Sequence, residues 1–152
     1  IVGLTLDTKP WEMYRAMMEA VAFGQRVIWD QYTKNGLMPT RVVLCGGIAM
    51  KSPLLCQIMA DVLNVAVEVS GANQATALGA AMCAATAAGE ERGGYASLPE
   101  AITHMQSPTI RRFEPDAEHV PVYEALFEKY CFLYQLFGVD APWLMESLKE
   151  RR

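Results

Sequence analysis

The sequence predicts an α/β fold: a short parallel sheet set among many helices. Three observations predict it. Arg41 to Cys45 is a short β-branched run that stops at Gly46-Gly47. A helical pattern then opens at Ser52-Pro53, with Leu54, Leu55, Ile58, Met59, Val62 and Leu63 on one face and Asn64 as its stop. A second run, Val65 to Val69, alternates valine with Ala66 and Glu68. Strand, helix, strand is a βαβ unit, so the two strands are parallel and the crossover is right-handed.

The other elements come in chain order. Thr8-Lys9-Pro10 is a helix entry with a capping hydroxyl and an early proline. Met13, Met17, Ala20, Val21, Gly24, Val27 and Ile28 recur at helical spacing, which predicts a helix over 10–34 that Asn35-Gly36 ends. Arg15 and Glu19 stand four apart on it and pair structurally. Gly71 to Gln74 is a loop, and Thr76 to Ala88 an alanine-rich helix. Glycine at 79 weakens that helix by about 1 kcal/mol against alanine, so another backbone is expected to pack closely there. Ser97 caps a short helix through Met105, and residues 107–115, with Pro108 and Pro115, are extended. A long amphipathic helix runs from Val122 to Phe137 and stops at Gly138; Pro142 to Lys149 adds a short one. Two strands among so many helices make an incomplete core, because parallel sheets are normally wider and covered. Further strands are expected beside these two.

Composition narrows the function. The 152 residues fit one domain, and 52% of them are apolar, enough for a core. No apolar run approaches the roughly 20 residues of a membrane span, and no signal segment opens the chain. A formal charge of -4 disfavours a broad nucleic-acid surface, which needs a basic stripe. Lys149, Arg151 and Arg152 form a solvated tail. The four cysteines, Cys45, Cys56, Cys83 and Cys131, lie in apolar segments without a CxxC pair. They are expected as buried free thiols of a reducing compartment. His104 and His119 lack partners at metal-ligand spacing, so no metal site is expected.

The stretch Gly46-Gly47-Ile48-Ala49-Met50-Lys51-Ser52 carries the chemistry. It is neither a P-loop, which needs a glycine before the lysine, nor GxGxxG, which counts against a Rossmann-type dehydrogenase. Its place after a parallel strand is where open α/β sheets bind ligands. The following helix N-terminus favours anions, and Lys51 adds a cation. On the residues alone, a nucleotide or phosphate site and a plain tight turn stay equally open.

Several segments resemble the FGGY carbohydrate kinases. Gly3-Leu4 followed by Glu12-Met13-Tyr14-Arg15-Ala16-Met17-Met18-Glu19 resembles that family's C-terminal signature. CGGIAMKSPLLCQIMADVL resembles its adenosine-binding motif, and QATALGAAMCAATAAG the helix that comes after it. Cys45-Gly46-Gly47, Gly93-Gly94-Tyr95 and the ending VYEALFEKYCFLYQLFG resemble the ribulokinase branch. The resemblance spans residues 1–138 as the C-terminal nucleotide-binding lobe, with 139–152 as a short helix and tail.

The resemblance implies a partial ribonuclease H-like, actin-like ATPase lobe. The three-strand meander that opens such a lobe would lie upstream of Ile1. ATP and Mg2+ are the implied cofactors. The implied reaction moves the γ-phosphoryl group of ATP to L-ribulose, in arabinose breakdown in the cytoplasm. The backbone of Gly46, Gly47 and Ile48 would contact the nucleotide, with Lys51 and Ser52 beside the adenosine. Gln74 would border the pocket or stand as an exposed loop amide. The catalytic aspartate and phosphate motifs belong to other parts of the family's chains and match nothing here. No catalytic or metal residue is therefore expected, the ketopentose would be bound elsewhere, and the 152 residues alone would be inactive. An unpaired strand edge and bare helix faces predict a homo-oligomer. A non-catalytic actin-like nucleotide-binding module and a sister kinase for xylulose, glycerol or gluconate are the alternatives.

Overall fold

Pro10 and Asn35-Gly36 bound the first helix as their chemistry requires. In the computed structural model, which describes residues 2–149, α1 spans Pro10–Lys34 and Gly36 leaves it at φ +78°. The entry differs in one bond. Thr8 Oγ1 accepts from Thr5 N at 2.9 Å, and Glu12 Oε2 instead accepts from Lys9 N at 2.7 Å. A carboxylate three residues into a helix reaches that N–H better than the hydroxyl before it. The chain continues through β1 (Val42–Leu44), α2 (Gly47–Lys51), α3 (Pro53–Leu63), β2 (Val67–Ser70) and α4 (Ala75–Ala88). After a 3-10 turn come α5 (Leu98–Met105), β3 (Thr109–Phe113), α6 (Val120–Gln135) and α7 (Pro142–Lys149). Arg151 and Arg152 of the expected tail lie outside the described residues; Lys149 is exposed.

These elements form two units. One is built from Pro39–Ala60 and Val65–Glu114; the other from α1, Asp61–Asn64 and the segment from Pro115 onward.

The first unit holds a sheet of order β1-β2-β3. β1 and β2 are parallel as expected, with Val42 opposite Val67, Val43 opposite Glu68 and Leu44 opposite Val69. The third strand, from the stretch expected to be extended, corrects the expectation of a purely parallel sheet. β3 pairs antiparallel with β2, Val67 opposite Phe113 and Val69 opposite Arg111, so the sheet is mixed. Gly71 lets this strand in. Its N–H donates to Pro108 O at 2.9 Å, and a Cβ there would stand 2.9 Å from Ile110 Cγ2. β2 also starts two residues late. Asn64 takes φ +51° and Val65 N donates to Ala60 O, so Val65 still closes α3.

Period-two alternation then sorts the two faces of the sheet. Val67 and Val69 are buried, and Val69 packs with Ala49 and Cys56 beside Leu44, Met50 and Phe113. Glu68 points the other way. Arg41 donates to it at 2.6 and 2.9 Å, Thr109 Oγ1 at 2.8 Å and Arg112 at 3.2 Å. The Arg41 hydrogen bond, and after it that of Thr109, holds the Glu68 carboxyl below the usual range.

Gly79 and Gly94 behave oppositely. No backbone packs on Gly79, contrary to expectation: a Cβ there meets nothing within 4 Å, and the residue lines a cavity with Arg41, Leu78 and Met82. The close approach is at Gly94, where a Cβ would fall 2.0 Å from Ala85 O. There the chain folds back over the end of α4, Gly94 N donating to Gly89 O at 2.9 Å and Tyr95 N to Ala85 O at 3.2 Å.

In the other unit, aromatic rings join α1 to α6. Phe23 packs 5.5 Å from Tyr130, 5.9 Å from Phe127 and 6.2 Å from Tyr123, centroid to centroid. Arg26 lies 4.9 Å over the Phe127 ring and pairs with Glu124 at 2.9 Å. The expected Arg15–Glu19 pair forms at 2.9 Å, and Arg15 also donates to the Tyr123 hydroxyl at 3.0 Å. Buried Asp61 accepts from Asp116 N at 2.8 Å, with His119 Nδ1 at 3.2 Å. Gly138 does not stop α6 in a left-handed residue. The chain winds on in a π turn over Leu136–Asp140, closed by Ala141 N donating to Leu136 O at 2.8 Å.

The cysteines are free, but only Cys56 is buried; Cys45 and Cys83 are exposed. An apolar segment predicts burial only where its helix or strand is covered on that side.

This packing can be tested at two places. Gly94→Ala should lose about 1–3 kcal/mol through steric overlap, whereas Gly79→Ala should gain about 1 kcal/mol of helix stability, both read by urea denaturation. Glu68→Gln should be less stable than the parent at pH 7. A carboxyl with a depressed folded pKa stabilises above its unfolded value and loses that contribution as pH falls through the folded one. The gap between the two proteins should therefore close on acidification below the ordinary glutamate range.

Candidate functional site

The strand β1 ends at Leu44, and the chain must turn off the sheet within two residues. Gly46 makes the turn, at φ +91° and ψ 174°, a region essentially restricted to glycine. An open loop is expected after it, and a helical turn forms instead. Gly47 to Lys51 wind into the single-turn helix α2, with Met50 N donating to Gly46 O at 3.2 Å and Ser52 N to Ile48 O at 2.9 Å. Ile48, Ala49, Met50 and Lys51 contain no strong helix breaker, so once Gly46 has set the direction they coil rather than extend.

Ala49 anchors the turn by burying itself against Cys56 and Val69. The Cys56 thiol donates to Ala49 O at 3.3 Å, and Arg111 donates to Met50 O. Burial pushes the Cys56 thiol up, and the nearby Arg111 guanidinium works against that rise. Ser52 then caps α3, its Oγ accepting from Leu55 N at 3.3 Å. On the outer side of the turn, Ile48 is 70% exposed and Lys51 is exposed. Lys51 has no carboxylate within ion-pair distance among the described residues.

The two glycines of the pair do different work. Gly46 is required by its backbone. Gly47 is helical, and a Cβ there would meet nothing within 4 Å. The fold does not need a glycine at 47; its effect is to leave the backbone open to close approach from outside. With Ile48 beside it, the turn presents bare peptide, one apolar side chain and one ammonium.

The structure gathers five of the six expected site residues, Gly46, Gly47, Ile48, Lys51 and Ser52, into this one turn. Gln74 lies on the next loop. It is exposed at the N-cap of α4, where its carbonyl accepts from Leu78 N at 2.9 Å. Because β1 and β2 are adjacent and parallel, both loops leave the same edge of the sheet. Sequence reasoning missed Arg111. Its signal was the Arg111-Arg112 pair inside the extended run, which alternation places on opposite faces of a strand. Among the described residues no His, Cys, Asp and Glu cluster is disposed to hold a metal, and no helix is long and apolar enough to cross a membrane.

Residues 1–88 match the model of the FGGY family of carbohydrate kinases, C-terminal domain. The chain belongs to the FGGY family. A ribulokinase of Halalkalibacterium halodurans is 45% identical over 149 residues, covering 98% of this chain and 26% of the relative. The chain thus spans about a quarter of the length of the curated relatives it matches. Among solved structures, the xylulose kinase of Rhodospirillum rubrum superposes with a TM-score of 0.73 at 27% identity, over 90% of this chain and 27% of the other. The glycerol kinase of Plasmodium falciparum, solved with ADP, gives 0.62 at 26% identity, over 85% and 25%. The small mixed sheet and its helices therefore have the fold of a partial actin-like lobe, as in the C-terminal domain of the FGGY family.

The glycine pair generates a contrast that binding and stability measurements can separate. Gly46→Ala should destabilise by about 1–3 kcal/mol through backbone strain. Gly47→Ala should leave stability unchanged or higher, yet weaken binding of any ligand that approaches the bare turn.

Proposed function

We propose that this chain is the C-terminal, nucleotide-holding part of an ATP-dependent kinase of ketopentoses, with L-ribulose as the sugar. The observation that carries this reading is the set of ribulokinase relatives, 41% to 45% identical over nearly the whole chain. Residues 1–138 then form the lobe, with 139–152 as its terminal helix and tail.

The residues of the turn fit a nucleotide. Gly47 leaves bare backbone facing open space, where a ligand could approach closely, and Ile48 gives a base or ribose an apolar surface beside it. Lys51 supplies the cation for the phosphates or for an acceptor on the sugar ring. Ser52 caps α3 and holds the turn at its far end. Gln74 borders the same edge from the neighbouring loop. That the glycerol kinase neighbour was solved with ADP supports a nucleotide as the ligand.

When bound, ATP would supply the phosphoryl group and a magnesium ion would offset the charge of its phosphates. This chain's part is to bind and orient the base-and-ribose end; the base that takes the sugar proton and the ketopentose pocket lie in other parts of such an enzyme. The setting is the cytoplasmic breakdown of arabinose, and a homo-oligomer is the proposed assembly. A sister specificity for xylulose is the second reading, favoured by the xylulose kinase neighbour.

The test uses the polypeptide that carries this chain at the length of its relatives. ADP release is followed with magnesium-ATP and L-ribulose, D-ribulose, xylulose or glycerol. A preference for L-ribulose is expected, and a preference for xylulose would transfer the chain to the sister reading. ATP binding without turnover on any sugar would make it a non-catalytic nucleotide module. The 152 residues alone should release no ADP with any of these sugars.

A further inference from the structure

We propose that Arg111 is a positioning residue for the nucleotide, acting through the Met50 carbonyl; this rests on the nucleotide reading of the Gly46–Ser52 turn. A helix of one turn does not hold itself in water, because nucleation fixes several residues for a single bond. α2 has five residues, so something outside it must keep it wound. The carbonyls at its end have no partners further along a helix. Here each of three finds one donor: Ile48 O takes Ser52 N, Ala49 O takes the Cys56 thiol, and Met50 O takes the Arg111 guanidinium.

The Arg111 contact differs from the other two. Ser52 and Cys56 lie just downstream in the chain and would move with α2 wherever it went. Arg111 comes from β3, 61 residues away in sequence. Its position opposite Val69 places it on the sheet face that also carries Ala49 and Cys56. It therefore ties the turn to the sheet rather than to its own helix. A charged donor to a carbonyl is also stronger than a neutral one. With that tie in place, the outer side of α2, Gly47 and Ile48, has one fixed orientation. Without it, the turn keeps its sequence and loses its place.

The position predicts a split in kinetics. In the polypeptide of the relatives' length, Arg111→Met should raise KM for ATP about tenfold, since small misplacement of a binding group is costly. kcat and KM for the sugar should stay within about twofold. Arg111→Lys, which keeps a charged donor of similar reach, should recover most of the loss. Hydrogen exchange of the unliganded protein supplies the independent readout: the 47–51 amides should exchange faster in Arg111→Met while those of α3 do not change.

An unchanged KM for ATP in Arg111→Met overturns the proposal, as does an equal fall in the constants for both substrates. If Arg111→Met does not fold, Arg111→Gln, which removes the charge and shortens the reach, carries the test, with a KM for ATP raised several-fold expected and no change overturning it. A wild-type protein that neither binds nor uses ATP overturns the nucleotide reading itself and this inference with it. A wild-type protein active with ATP beside an unaffected Arg111→Met overturns this inference alone.

Discussion

The parallel pairing of Val42–Leu44 with Val67–Ser70 is the constraint on which the site depends. It sends the chain off the same edge of the sheet twice, once into the glycine turn and once into the loop that ends at Gln74. It also fixes which side chains face α2. With Leu44 opposite Val69, the core side of the sheet receives Leu44, Val67 and Val69, and the other side receives Glu68. A slip of one residue would exchange these sets, burying Glu68 and exposing Val69. The antiparallel strand β3 extends that logic. Pairing Arg111 with Val69 and Arg112 with Glu68 sends one arginine beneath the turn and the other to the carboxylate on the far face.

A turn held from outside offers a ligand a more fixed surface than a helix held only from within. The bonds that fix the end of α2 fall on the Ile48, Ala49 and Met50 carbonyls, and Ala49 is buried in the core. None of them uses Gly47 or the Ile48 side chain. The surface offered to a ligand is then set by packing that the ligand does not disturb, the arrangement by which a binding group is preorganised. Gly46 carries the cost of this arrangement in its backbone conformation, and only glycine takes that conformation without strain.

Much of the helical framework was legible because capping residues and apolar spacing act locally. Pro10 and Gly36, Pro53 and Asn64, and Ser97 each bound a helix close to where their chemistry implies. β3 was harder to read. Thr109–Phe113 lies between two prolines and its Arg111-Arg112 pair breaks any polar–apolar alternation, so what makes it a strand is the β2 edge, which no local pattern reveals. α2 was unreadable for a related reason, since its stability comes from Cys56 and Arg111 rather than from its own propensity. Gly138 and Gly79 misled because a glycine in sequence announces freedom without saying whether it serves a left-handed residue, a close approach or neither. Gly94, which does make a close approach, drew notice only through the resemblance of Gly93-Gly94-Tyr95 and not as a close contact. Within the site, the turn was legible as a unit from Gly46-Gly47 and its flanking strand and helix, whereas its tie to the sheet was not.

The exposed side of α1 bears on what the chain is built to join. Trp11, Tyr14, Val21 and Ile28 lie along one side of this helix and are exposed, while Phe23 on the other side is buried with the rings of α6. α4 is apolar around its circumference, with Ala77, Ala81 and Cys83 exposed. An amphipathic helix needs one apolar side; a helix with two is packed on both in its working state. The relatives are about four times as long as the matched region, so ample chain exists in proteins of this kind to meet such surfaces. Support and assembly are thereby kept apart. The glycine turn finds its support inside one unit, from β1, β3 and α3, and none of those contacts uses the bare faces, which leaves them free for packing.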